Sequence, residues 1–154
     1  MKPRKSAQKN RQKELFRVEL MQIIDPGHSL AKLAKVVDWD RLEEVFGSTF
    51  CPDNGRPAIS TRLMVALHYL KYTHNLSDAD VVEAWVENPY WQHFSGMKYF
   101  EHKMPTHPSS MSRGRKRIGD AGAEQLLQET IEAGLKLKAV KAFMLKRINV
   151  DTPV

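Results

Sequence analysis

The sequence has little of what several classes of protein require. Its single cysteine, Cys51, excludes a disulfide framework and fits a reducing compartment. No apolar run approaches the roughly 18 residues of a membrane-spanning helix, so we expect no membrane partner and a cytoplasmic protein. The basic start, residues 1–5, lacks the apolar stretch of a secretory signal. There is no glycine-rich phosphate loop, and the six histidines do not have zinc-finger spacing, so no metal or cofactor is predicted for this chain.

The sequence does have enough apolar residues for a core and an uneven surplus of positive charge. It has 154 residues, of which 42% are hydrophobic, and a net charge of +6. Residues 1–20 carry +5, residues 21–97 carry −4 and residues 98–154 carry +5. Basic blocks on either side of an acidic middle are typical of contact with nucleic acid, although a solvated surface remains the alternative.

Helical periodicity dominates the chain and predicts an all-α fold of six to eight short helices. The first helix is predicted from Leu15, Val18, Met21 and Ile24, the second over 30–36, and the third over 40–46 with Gly47 as its C-cap. A loop is predicted over 47–57. Helix signals resume at Ser60, and an apolar stripe is formed by Ile59, Leu63, Ala66, Leu67 and Leu70.

The second half of the chain contains clearer boundary signals. Ser77 opens a capping box with Asp80, and the helix that follows is expected to end before Pro89. One short helical turn and an irregular segment over 96–108 come next. Ser109 or Ser110 is expected to cap a helix that ends at Gly119, and a last helix starts near Asp120. We expect Trp39, Trp85 and Trp91 to lie in the core, and the alternation of Ile148 and Val150 predicts a terminal strand.

The predicted helix before Gly119 carries the strongest chemical signal. Its candidate DNA contacts are Ser109, Ser110, Ser112, Arg113, Arg115, Lys116 and Arg117. It follows other short helices across a predicted compact turn, as in a helix-turn-helix arrangement. Small hydroxyl residues at its start leave N–H groups open to phosphates, and its arginines can clamp phosphate or read guanine. The alternative is a solvated basic face that covers the core through Met111 and Ile118.

The basic N-terminal segment, residues 1–13, is expected to be a disordered arm. Lys2, Arg4 and Lys5 can add phosphate contacts that do not depend on base sequence. A solubilising tail is the alternative interpretation of this segment.

Several ordered motifs resemble the N-terminal region of bacterial insertion-sequence transposases of the DDE type, in the insertion-sequence-five (InsH-like) family. The motifs are LAKLAKVVDWD at 30–40, RPAISTRLMVALHYL at 56–70, LSD at 76–78, NPYWQHFSG at 88–96, PSSMSR at 108–113 and RKRIG at 115–119. The resemblance covers roughly residues 14–154. It implies a helical domain over 14–143 that binds double-stranded DNA at the terminal inverted repeats, in a bacterial, nucleoid-associated setting.

The resemblance also implies that residues 144–154 are the first strand of an RNase H-like catalytic core. Asp151 then matches the first catalytic acid of the family, for which an intact relative would use Mg²⁺. Since two-metal phosphoryl transfer needs several carboxylates, we expect a truncated chain that does not cut DNA alone. A homodimer or intact transposase is a possible partner. A stand-alone DNA-binding regulator or inhibitor and a helical dimerisation fragment are the alternative functions.

Two residues depart from the family pattern. Gly114 stands where a bulky aromatic is common, and glycine lowers helix propensity by about 1 kcal/mol relative to alanine. Pro153 stands where a threonine is usual and cannot donate a hydrogen bond to a strand partner. Both departures would suit a decaying element.

Overall fold

A computed structural model describes residues 17–50 and 59–136 of the chain. Seven helices make up most of these two ranges. They are α1 (Leu20–Ile23), α2 (Ser29–Val36), α3 (Trp39–Phe50), α4 (Thr61–His74), α5 (Asp78–Glu87), α6 (Pro89–Phe94) and α7 (Pro108–Lys136). Within these ranges the extended structure amounts to one isolated antiparallel bridge between Glu19 and Tyr99. The all-α prediction is confirmed there, whereas the predicted arm over 1–13 and the predicted strand over 144–154 lie outside the described residues.

Helix α4 is the centre of the fold and packs against α3, α5, α6 and α7. Its buried residues are Thr61, Leu63, Met64, Val65, Ala66, Leu67, His68 and Leu70. This set extends around more of the helix than the predicted stripe, because neighbours cover α4 on several sides. The helices that carry the candidate site are therefore placed by their packing on α4.

Most helix boundaries follow from local capping chemistry. The Ser60 side chain accepts a hydrogen bond from the N–H of Leu63 at 3.1 Å, and Ser77 accepts one from Asp80 at the same distance. Helix α5 ends at Glu87, as Pro89 predicts. The starts of α4 and α5 are thus confirmed, and so is the cap at Ser77, whose hydroxyl also donates to the Asp80 carboxylate at 2.6 Å.

Two predicted boundaries are wrong. Helix α3 does not end at Gly47 but continues to Phe50, with Phe46 buried against the core. The first predicted helix is also shorter within the described residues. Val18 accepts a hydrogen bond from Phe100, and Leu20 donates one to Lys98, so the chain before α1 is extended there. Pairing with the segment around residue 99 replaces the helical turn that the periodicity predicted.

A buried amide holds the irregular segment that leads into α7. Gln92 is fully buried, and its Oε1 accepts a hydrogen bond from the Glu101 N–H at 2.7 Å. Its Nε2 donates to the Glu101 carbonyl at 2.8 Å and to the Val86 carbonyl at 3.2 Å. Because a buried amide without partners is costly, these bonds fix the path of residues 95–107. Trp85 and Trp91 are buried beside it, which confirms them as core residues.

Helix α7 is broken at Gly119, as predicted. Gly119 has φ 68° and ψ −178°, a conformation that is essentially restricted to glycine. The break separates residues 108–118 from residues 120–136. The second part is anchored by buried Leu126 and by an ion pair of 3.0 Å between Glu129 and Arg41 of α3.

Replacing Gly119 with alanine should destabilise the chain by about 1–3 kcal/mol, because the side chain disfavours this backbone conformation. A Cβ at Gly119 meets no atom within 4 Å, so the effect arises from the backbone and not from a clash. Chemical unfolding followed by circular dichroism measures it.

The matched control is Gly47→Ala inside α3. Its Cβ would meet only the flexible end of Glu43, at 2.9 Å, and alanine favours helix by about 1 kcal/mol over glycine. We expect Gly47→Ala to stabilise the chain. Equal stabilisation by Gly119→Ala would contradict a required break in α7.

Candidate nucleic-acid interface

The basic helix 108–118 begins at Pro108 and is capped by His107. The Nδ1 of His107 accepts a hydrogen bond from the Ser109 N–H at 3.2 Å, and its carbonyl accepts one from the Ser110 N–H at 2.9 Å. The prediction that Ser109 or Ser110 is the cap is therefore wrong, and these two N–H groups already have acceptors. The predicted compact turn is also wrong, since α6 ends at Phe94 and α7 begins at Pro108.

Five of the seven candidate residues share the outer side of this helix. At about 100° per residue they fall within an arc of about 120°. They are Ser109, Ser110, Arg113, Lys116 and Arg117, of which the three cations are exposed and the two serines partly exposed. Met111 and Gly114 are buried on the inner side. We call this arc the outer basic face.

The other two candidates, Ser112 and Arg115, contact Asp78 of α5. The Arg115 guanidinium donates two hydrogen bonds to the carboxylate, at 2.6 Å to Oδ1 and 2.7 Å to Oδ2. The Ser112 hydroxyl donates to Oδ2 at 2.8 Å. Lys71, near the end of α4, donates to Oδ1 at 2.6 Å. We call Lys71, Asp78, Ser112 and Arg115 the Asp78 clamp, because it joins α4, α5 and α7.

The charge of Asp78 is well compensated although its side chain is only 16% exposed. Hydrogen bonds from Arg115 hold the pKa of the Asp78 carboxyl well below its usual value and outweigh the opposite effect of burial. The same bonds raise the pKa of Arg115. Asp78 is also the first residue of α5, where a negative charge interacts favourably with the helix dipole. Arg115 and Lys71 are thus held by an internal acid.

Arg113 on the outer basic face is oriented from within its own helix. Its Nη2 donates a hydrogen bond of 2.8 Å to the Ser109 hydroxyl, which also lies 2.8 Å from the Nδ1 of His107. A guanidinium held in this way loses less side-chain entropy when it binds an anion. The predicted DNA contacts Lys2, Arg4 and Lys5 and the predicted catalytic residue Asp151 lie outside the described residues.

A half-open cavity of about 150 Å³ lies between α4 and both parts of α7. His68, Tyr72, Arg115, Ile118 and Leu126 are among the residues that line it. His68 is 2% exposed, and within the described residues neither ring nitrogen has a hydrogen-bond partner. Burial lowers the pKa of His68 to about 4, with a further contribution from the charge of Arg115. The imidazole is therefore neutral at pH 7.

The stability of the fold should fall as the pH falls from about 6.5 to about 4. In this window the unfolded chain binds a proton at His68 and the folded chain does not. The slope is at most about 1.4 kcal/mol per pH unit, or about 3 kcal/mol over the whole window. Urea unfolding at several pH values measures it. Asp78 acts in the same direction only below about pH 4, where the unfolded chain begins to bind a proton at this carboxyl while the lowered pKa keeps it ionised in the folded chain.

The variant His68→Phe should remove this part of the pH dependence, since phenylalanine fills a similar volume without a titrating nitrogen. His74→Gln, on the exposed end of the same helix, is the control and should retain it. An unchanged slope in His68→Phe would show that His68 does not titrate in this way.

The described residues contain no group of three or more His, Cys, Asp or Glu side chains arranged to hold a metal ion. In the same ranges, the helices are too short or too polar to cross a membrane.

Comparison with known proteins shows which family this fold represents. Residues 18–117 match the family model described as "Transposase domain (DUF772)". The chain belongs to this transposase domain family. It is also 50% identical over 155 residues to the "Uncharacterized protein ORF8 in nfe locus" of Rhizobium meliloti, a match that covers all of this chain and 73% of that protein. No solved structure matches the chain.

The family match places the site within this transposase domain. It ends at Arg117, so it includes the outer basic face and the whole Asp78 clamp. The resemblance to transposases is thus confirmed at the level of the family. Asp78 and His68 were not among the sequence-predicted site residues. The sequence identifies Asp78 only as an acid in the first turn of a predicted helix. No local pattern indicates that three helices meet at its carboxylate.

Proposed function

We propose that this transposase domain binds double-stranded DNA at the terminal inverted repeats of an insertion sequence, as the N-terminal part of a DDE-type transposase. The main support for this proposal is the outer basic face. It presents three exposed cations and two serines on one side of a helix whose other side is held by the core and the Asp78 clamp. The predicted role of Asp151 and the predicted lack of cutting by this chain alone stay predictions.

The size of the helix suits insertion into DNA. The B-DNA major groove is about 12 Å wide and admits an α-helix along its length. Residues 108–118 would occupy about 16 Å of the groove, at 1.5 Å per residue. The small side chains of Ser109 and Ser110 allow the start of the helix to approach closely. In this proposal residues 108–118 act as the recognition helix of a helix-turn-helix-like element, in which the longer segment 95–107 takes the place of a compact turn.

The chemistry of the outer basic face suits both phosphate and base contacts. A guanidinium can donate two parallel hydrogen bonds to a phosphate or to the O6 and N7 atoms of guanine. Arg113 and Arg117 are exposed and can do either, while Lys116 provides a compact charge suited to phosphate. Arg115 already makes its two parallel bonds to Asp78, so we assign it to the orientation of the helix. Ser112 is assigned likewise.

Alanine at Arg113, Lys116 or Arg117 should weaken DNA binding. Suitable probes are short duplexes enriched from a random pool by the wild-type chain, together with duplexes copied from the DNA that flanks the gene. For a phosphate contact, each variant should reduce the slope of log K against log salt by about 0.9. For a base contact, the loss should be about 1–3 kcal/mol and depend on base sequence. Fluorescence anisotropy at several salt concentrations measures both quantities.

Lys32→Ala is the matched control, because Lys32 is an exposed cation on α2 and its removal changes the net charge equally. It should leave affinity and salt slope nearly unchanged. Equal losses in Lys32→Ala and in the outer-face variants would indicate unspecific attraction by the total charge. A chain that forms a dimer and binds no duplex would support the alternative of a dimerisation fragment.

A further inference from the structure

We propose that Asp78 is a positioning residue for the recognition helix, so that neutralising this acid weakens specific DNA binding although it removes a negative charge. This inference rests on the proposed function. An acid in a domain that binds a polyanion should oppose binding by simple charge repulsion. The geometry of the Asp78 clamp points to the opposite effect.

An unusual number of hydrogen bonds end on the Asp78 carboxylate. Asp78 accepts four hydrogen bonds between 2.6 and 2.8 Å, from Lys71, Ser112 and both terminal nitrogens of Arg115. Three of these come from residues 112 and 115, one turn apart on the basic helix. Two bonded points on a helix fix its rotation about its axis as well as its distance from α5.

The bonds to Asp78 also determine which side of the helix faces outward. Ser112 and Arg115 lie on the flank and inner side, so their rotation determines the direction of Arg113, Lys116 and Arg117. Base reading depends on this direction, because hydrogen bonds to base edges are lost when donors are misplaced by about 1 Å. Unspecific phosphate binding depends on it much less, since charge acts over several ångströms.

Asp78 also keeps two cations away from unspecific contacts with DNA. Without the carboxylate, Lys71 and Arg115 would be two partly buried cations without their acceptor. They would turn toward solvent, where DNA phosphates are the available anions. The loss of Asp78 should therefore lower affinity for the preferred duplex and leave unspecific affinity equal or higher. The ratio of the two affinities is the quantity that Asp78 controls.

The test compares Asp78→Asn with Asp80→Asn. Both variants remove one negative charge from the first turn of α5, but Asp80 is exposed and interacts with Ser77 rather than with α7. For Asp78→Asn we expect affinity for the enriched duplex to fall about ten- to a hundredfold, the effect of one or two lost base contacts. Affinity for a scrambled duplex of equal length should not fall. Asp80→Asn should keep both affinities within about twofold or bind slightly tighter.

Further measurements separate positioning from general loss of structure. Circular dichroism must show that both variants are folded at the temperature of the assay. Without DNA, hydrogen exchange of the amides in 109–118 should accelerate in Asp78→Asn while the amides of α4 stay protected. Asp78→Glu, which retains the carboxylate, should recover part of the specificity ratio.

The outcomes are distinguishable. If the wild-type chain binds no duplex, the proposed function fails and this inference fails with it. If the wild-type chain binds and Asp78→Asn keeps the wild-type specificity ratio, only the role of Asp78 is overturned. Exchange that accelerates equally across α4 and α7 would also overturn it, because the loss would then be global unfolding.

Discussion

The carboxylate of Asp78 is the contact on which the placement of the basic helix depends. It is largely withdrawn from water, yet it remains ionised because two cations, a hydroxyl and the start of α5 stabilise its charge. Removing the carboxylate leaves two partly buried cations without their counter-charge, which is more destabilising than losing an exposed ion pair. Three helices that are separated in the sequence are thereby held in one arrangement by four side chains.

The rest of the fold supports this arrangement from two directions. Helix α4 supplies a core on several sides, and the amide of Gln92 directs the chain toward Pro108. At the other end, Gly119 lets residues 120–136 turn away and pack through Leu126 while 108–118 keeps its own direction. The basic helix is therefore short, held at both ends, and open on one side. These are properties that a DNA-reading element requires, because its cations must be presented in a constant direction.

The features of the fold that depend on local chemistry could be predicted from the sequence, whereas those that depend on contacts between helices could not. The helix starts at Ser60 and Ser77 and the break at Gly119 follow from interactions within a few residues, so the sequence predicted them. The predicted end of α3 at Gly47 was wrong because the burial of Phe46 in the core outweighs the low helix propensity of glycine. The outer basic face was predicted as part of a larger set. To distinguish the role of Arg115 from that of the outer basic face, one must know that α5 lies beside α7. No local pattern in a single sequence contains that information.

The arginines of the basic helix have two different roles, and NMR of their side chains tests this most directly. The Nε–Hε signals of Arg113, Arg115 and Arg117 can be followed while the enriched duplex is added. The account predicts that the signals of Arg113 and Arg117 shift, while Arg115 keeps the signal of a guanidinium paired with Asp78. A shift of Arg115 with no change in Arg113 and Arg117 would contradict it.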